Sequence, residues 1–498
     1  MAQRTPEIDN LEDVDIARAR ASGDRARWGR SLDRLAPEAW PVFEPGFTLE
    51  PGARVFTVGS CFARNIEDYL DLVGCDLPTL KLRAPEAETS GRPTQVLNRY
   101  TPPTILQELA WAAGARAGGG DVDERDLAAH RLELSDGRVV DLQVRYAPVS
   151  EERFVERRRQ IHEVFSQAFR SDCVVITLGH VEGWYDEATG LFVWGPPLQL
   201  PAARRQRERF RFRELTFTEC LDNVRDTVEI IRSLNSSCPI LLSVSPVPLR
   251  RTFTGRDVIV ANEHSKCLLR TVAERVARST PGVDYFPSYE TVRLTRGRRV
   301  VKADLRHVDE ALVGEIAQRF VAACSSGLGE REERLLAAAV ALESGGEPRH
   351  VCAAPVRELS DLESYRISQL VLLARLCALL GEIERGRDVV AELMGRPGVG
   401  SWEYRRLATA LKVLGCHREG RVLAEEMRSA RPSRSADRGR SRGGRSNRRS
   451  AEPGRLDRWR DAHGRLLPEV WPVCPPSFSL APGASVFGVG SCFARSIE

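Results

Sequence analysis

Between residues 37 and 328, short β-branched runs alternate with longer stretches in which apolar side chains recur every three to four positions. VFTV at 55–58, CVVITLG at 173–179, PILLSVSPVP at 239–248 and VDYFPSYE at 283–290 are continuously apolar over most of their length, the pattern of strands buried on both faces. FARNIEDYLDLV, RRQIHEVFSQAF, TECLDNVRDTVEIIRSL, HSKCLLRTVAERVA and VDEALVGEIAQRFVAAC carry the helical period between and after them. This alternation predicts an α/β domain over 37–328, with a parallel sheet covered by helices on both faces. The chemistry of such sheets collects at the carboxyl ends of the strands.

The remaining sequence divides into four segments. Residues 1–36 are a polar arm, and 332–430 are helical throughout. In that helical part Gly381 and Gly386 recur as Gly415 and Gly420, a period of 34 that fits a tetratricopeptide-like helix pair. Residues 431–455 form a Ser/Arg/Gly linker too poor in apolar side chains to offset its ordering entropy, so disorder is expected there. From Pro468 the chain repeats the segment that begins at Pro37, with about two thirds of the positions identical. Residues 456–498 therefore read as the truncated start of a second such domain. One strand cannot pair its backbone or cover its apolar face alone, so no independent domain is expected, and Ser491 and Cys492 lack a D-x-x-H of their own.

Composition narrows the class. The chain has 498 residues, about three domains' worth, of which 42% are hydrophobic and 29% charged, enough apolar material for more than one core. No apolar run approaches the length of a membrane span, and the start lacks the apolar core of a signal peptide, so a cytoplasmic location is expected. Twelve cysteines without a C-x-x-C pair read as buried thiols. The net charge of +4 is concentrated in residues 431–450, where eight arginines face one aspartate, and the rest of the chain is mildly acidic. That tract reads as a solvated linker, so nucleic acid is not expected as a partner. The absence of H-E-x-x-H, Walker and G-x-G-x-x-G motifs on these strands implies neither a metal nor a cofactor.

Gly59-Ser60-Cys61 ends the first strand and opens a helix, where first-turn amides favour a thiolate and can hold an oxyanion. Asp304 precedes His307 by three residues just before the last helix, a spacing at which a carboxylate can orient an imidazole toward a nucleophile. Ser245-Pro-Val-Pro248 ends the third strand in a loop held at the same edge.

This order of blocks resembles the SGNH/GDSL hydrolases, and GSCFA with its surroundings resembles the GSCFA family among them. The resemblance runs from about Pro37 to Ser325 through VFTVGSCFARNIE, TQVLNRYTPPTILQEL, VVITLGHVEGWYD, LLSVSPVPLRRTF, VANEHSKCLLR, YFPSYE and DLRHVDEALVGEI. It implies a three-layer α/β/α, flavodoxin-like parallel sheet. It also implies an acyl ester hydrolase or O-acyltransferase that works through a covalent acyl-enzyme on a small-molecule or carbohydrate ester, a polysaccharide precursor included. Carried over by position, the nucleophilic serine falls on Cys61 and the neighbouring aspartate on Ser60; in the alternative, Ser60 attacks and Cys61 packs beneath it. His307 becomes the base and Asp304 its orienting carboxylate.

The sequence departs from that pattern at the oxyanion block, which reads Gly179-His180-Val181-Glu182 and has no asparagine. Backbone amides at Cys61 and near Gly179, with Gly59 beside them, and the side chain of Asn98 are the candidate donors. Glu182, with Trp184 and Tyr185, either shapes the substrate pocket or caps a helix over packed aromatics, and His180 reads as structural. Lys266 and Tyr289 lie in family-like strings without a role that follows from the sequence. The missing asparagine also fits a second class of function, an inactive domain that serves as a binding scaffold, with a protein partner on the helical repeats.

Overall fold

The computed structural model describes residues 38–422 and 32–35, with residues 21 and 26, apart from residues 83, 86–87, 89–91, 118–123, 145–147, 198–204, 297–299 and 346–347. Most of the polar arm, the arginine-rich linker and the second copy, with Ser491 and Cys492, lie outside the described residues.

The strands are β1 Val55–Gly59, β2 Arg131–Glu133, β3 Val139–Asp141, β4 Cys173–Leu178, β5 Glu182–Asp186, β6 Leu191–Val193, β7 Phe210–Glu214, β8 Ile240–Val244 and β9 Val283–Tyr285. β1, β4, β8 and β9 form one parallel sheet in that order. Gly59 pairs with Thr177 and Thr177 with Ser243, so the carboxyl ends of β1, β4 and β8 finish level.

Successive side chains enter opposite faces, and both faces are covered. On one, Phe56, Val58, Val174, Ile176, Ile240 and Leu242 pack against the helices Pro102–Ala117, Glu151–Ser166, Phe217–Leu234 and Val258–Ser279. On the other, Val55, Val175 and Leu241 meet Cys61–Leu72, the helix that opens with the cysteine of the motif, and Glu310–Cys324. The result is the three-layer α/β/α arrangement expected from the doubly buried runs.

Three details differ from the sequence expectation. β8 stops at Val244, because Pro246 and Pro248 have no N–H to donate to a neighbouring strand. VDYFPSYE divides into β9 and the short helix Ser288–Leu294, with Pro287 at the junction. Two antiparallel sheets, β2–β3 and β6–β5–β7, are added to the parallel core. Strands of three residues hold too little of a period to be told from loop, although β7, FRFRE, does alternate.

The helical segment follows as Glu330–Glu343, Arg349–Arg357, Ile367–Leu380, Ile383–Met394 and Ser401–Val413. Gly381 and Gly415 both turn at positive φ, +78° and +73°, which explains their recurrence as glycine. Gly386 lies so close to Leu414 that a β-carbon would sit 2.4 Å from its Cδ2. This segment packs onto the motif helix, sharing a core with Leu72. Arg366 donates to Asp71 Oδ1 (3.1 Å), Cys75 O (2.7 Å) and Gly74 O (2.6 Å), and Gln369 donates to Leu72 O (2.8 Å). These bonds satisfy carbonyls left open where the motif helix ends. No described helix is long and apolar enough to cross a membrane.

Candidate functional site

β1 ends at Gly59 with φ +128°, and Ser60 N donates to Thr177 O at 3.1 Å across the strand end. Ser60 is the N-cap of the motif helix; its buried hydroxyl accepts from Phe62 N at 3.2 Å, while Ala63 N donates to Ser60 O. Cys61 is the first helical residue and is only partly buried. Among the described residues its own amide is the first-turn donor without a backbone or capping acceptor, and it lies beside its own sulfur. Beneath it, the buried Glu67 carboxylate accepts from Thr79 Oγ1 (2.5 Å), Arg64 and Thr57, and Arg64 Nη2 donates to Thr57 O (2.8 Å), so polar bonds as well as apolar packing fix the helix to β1.

Asp304 and His307 are joined as the spacing predicts. His307 Nδ1 lies 2.5 Å from Asp304 Oδ2, and Asp304 Oδ1 accepts from the backbone N–H of Arg306 and of His307, both at 3.0 Å. Partial burial works against the Asp304 carboxylate, but the bonds from His307 and Arg306 prevail and hold its pKa down at about 2. Leu305 takes φ +54° to close the turn. Both side chains are about half exposed, at 43% for His307 and 49% for Asp304. Arg306 Nε donates to Pro248 O at 3.2 Å, tying this loop to the one after β8. Among the described residues, no hydrogen bond joins His307 to Ser60 or Cys61.

Gly179 answers to a different constraint from the one expected. Its amide and that of His180 both donate to Tyr100 O at 3.0 Å, and a β-carbon on Gly179 would lie 2.5 Å from that oxygen. Both amides are therefore engaged by the Tyr100 carbonyl rather than open to an oxyanion, and the glycine is required for close backbone approach. Asn98 is bridged to Gly59, is buried, and donates through Nδ2 to Tyr100 Oη at 3.3 Å, while its Oδ1 has no partner among the described residues. Glu182 sits in β5 and caps no helix. Its carboxylate accepts from Thr252 Oγ1 (2.7 Å) and Phe253 N (2.9 Å), anchoring the loop after β8, and burial raises its pKa against the effect of those bonds.

The surroundings of Cys61 include groups to which the sequence reading gave no catalytic role. Burial pushes the thiol pKa up, opposed by the positive charges of Arg306, Lys266 and Arg64. Lys266 Nζ donates to Gly179 O at 2.6 Å. Tyr100, pushed up to about 12 by burial, and His180, pushed down to about 3 by burial, stack with centroids 5.7 Å apart. A signal for Lys266 was present: it falls on the inward stripe with Asn262, Leu269, Val272 and Val276, and it is one of only four lysines among 73 basic residues.

The GSCFA family model matches residues 54–320, from the residue before β1 into the Glu310–Cys324 helix, and so takes in the parallel sheet, Gly59-Ser60-Cys61 and Asp304 to His307. The comparisons with curated proteins and with solved structures found no match. With more than half of its length under that one family model, this chain belongs to the GSCFA family.

Proposed function

We propose that the protein is an SGNH-like acyl ester hydrolase or O-acyltransferase that works through a thioester on Cys61. The observation that carries this reading is the formed Asp304–His307 pair, on a loop tied by Arg306 to the edge of the sheet where Cys61 opens its helix. Ser60 spends its hydroxyl on capping that helix, which favours Cys61 as the attacking group.

In this mechanism Cys61 Sγ attacks the acyl carbon and the thiol proton passes to His307, whose other nitrogen is held by Asp304. The carbonyl electron pair moves to oxygen, received by the Cys61 amide and the Asn98 side chain. Collapse breaks the ester C–O bond, and the leaving alkoxide takes the proton from His307. Water, or an acceptor hydroxyl, then gives its proton to His307 and attacks the thioester, and Sγ leaves and recovers the proton. A carbohydrate or other small-molecule ester is the substrate class by family analogy.

Labelling with an acyl-directed covalent probe tests the assignment. Cys61→Ala should abolish the adduct, Cys61→Ser should leave a slow ester-forming protein, and Ser60→Ala should still be labelled; the reverse pattern transfers the role to Ser60. One observation favours a second reading, an inactive domain whose tetratricopeptide-like segment binds a partner: His307 makes no hydrogen bond to either motif residue among the described residues. On that reading the folded wild type takes no label at all.

A further inference from the structure

Lys266 is 1% exposed on the inner stripe of the Val258–Ser279 helix, so its amine is held out of water. The bond to Gly179 O uses one of its three protons, and no carboxylate pairs with it among the described residues. An ammonium withdrawn from water without a counter-charge is strongly disfavoured and tends to lose its proton, so Lys266 holds a charge there only beside an anion.

The titratable and charged groups that act on it, or that share its surroundings, are few. Glu263, on its own helix, is engaged with Tyr289 Oη (3.3 Å) and Arg293 Nε (3.2 Å). Arg306 is a cation, and His180 and Tyr100 are held neutral by burial. Arg64, which acts on Cys61, is already paired with Glu67. Cys61 opens its helix at the end of β1, where Gly59 pairs with Thr177 of β4, two residues before the Gly179 carbonyl that Lys266 reaches; it becomes an anion on losing a proton and has no other fixed partner among the described residues. Arg306 also acts on Cys61, but it lies half-buried on the loop, with a carbonyl for its partner.

We propose that Lys266 is the fixed counter-charge of the Cys61 thiolate, so that loss of the thiol proton, to His307 in turnover or to solvent in the free protein, leaves a neutral S⁻/NH₃⁺ pair across the ends of β1 and β4. This rests on the reading of Cys61 as nucleophile. The directions of the shifts agree: burial drives the thiol up and Lys266 down, to about 7 on balance, and the charge of each group opposes the shift of the other.

The test follows iodoacetamide alkylation of Cys61 against pH, read in the tryptic peptide that ends at Arg64. Lys266→Gln keeps a donor for Gly179 O and removes only the charge. It should raise the alkylation midpoint by about one unit, slowing alkylation about tenfold below the wild-type midpoint, and Lys266→Arg should restore it. An unmoved midpoint in folded Lys266→Gln overturns the proposal. A reciprocal measurement leaves the lysine intact: with four lysines in the chain, the Lys266 ammonium can be followed by NMR of ¹³Cε-labelled protein. It should keep its proton to a higher pH in the wild type than in Cys61→Ala; identical titrations overturn the pair. An unmoved midpoint with intact ester turnover removes the counter-charge alone, whereas a moved midpoint in a protein that no acyl probe labels removes the acyl-transfer reading alone.

Discussion

A β-carbon on Gly59 would lie 2.1 Å from the carbonyl oxygen of Thr177 on the neighbouring strand. The absence of that carbon lets β1 close onto β4, so that Ser60 N reaches the same oxygen and the helix opening at Cys61 starts in one fixed place. Gly59→Ala combines a positive φ with overpacking and should cost about 3 kcal/mol or more. Gly52, also at positive φ but with open space around it, is the control, and its alanine variant should cost about 1 kcal/mol. Urea midpoints compare the two, and equal losses would contradict the packing argument.

His307→Ala should lower turnover of a model ester about 10²- to 10⁴-fold, the usual span for loss of a general base. A smaller loss would take His307 out of the proton transfer.

The Asp304 carboxyl is held at about 2, below its unfolded value of about 3.9, so its contribution to stability is present above the unfolded value and is lost as pH falls through 2. The stability difference between wild type and Asp304→Asn should therefore stay level from pH 7 to about 4 and vanish only toward pH 2. Melting temperatures across that range check it; a difference that closes by pH 4 would mean the pair does not hold the carboxylate.

Glu182 shows the opposite sign. Its folded pKa is raised by burial, so its contribution is greatest when it is protonated and is lost as pH rises from the unfolded value, about 4.3, through the folded one. The melting temperature of the wild type relative to Glu182→Gln should decline from pH 4 to pH 7. A rising difference would show that the bonds from Thr252 and Phe253 outweigh burial.

Ending the chain at residue 430 should leave melting and ester turnover unchanged, because the one strand that the repeated motif predicts beyond it has no sheet of its own to complete. Ending it at residue 328 removes Arg366 and Gln369 from the carbonyls of Leu72, Gly74 and Cys75 and uncovers Leu72, so both should fall. Arg366→Ala alone should cost about 1 kcal/mol, since this guanidinium is partly solvated. A 1–328 fragment as stable as the full chain would mean that the helical segment only rests on the motif helix.

Much of the scaffold was legible because doubly buried parallel strands write themselves as unbroken apolar runs, and VFTV, CVVITL and ILLSV all became sheet. The antiparallel additions were not: β6 spans three residues, and the place of β7 depends on β5, whose EGWYD has no strict alternation. Glu182 was singled out as a pocket-shaping or helix-capping carboxylate, yet it caps no helix, and its partners Thr252 and Phe253 lie far along the chain where no spacing rule points to them.

The sequence by itself determined the local chemistry of this protein: the strand that must stop at Gly59, the cap and thiol that follow it, and the three-residue spacing that folds His307 back onto Asp304. Such contacts are set by backbone geometry over a few residues, which a linear pattern records. Only the tertiary structure decided that the Gly179 amide is taken by Tyr100, and that the charges of Arg306 and Lys266 act on the thiol while His307, among the described residues, makes no hydrogen bond to it. Those relations join segments brought together by the sheet, and they depend on the order and register of whole strands, which no local spacing encodes.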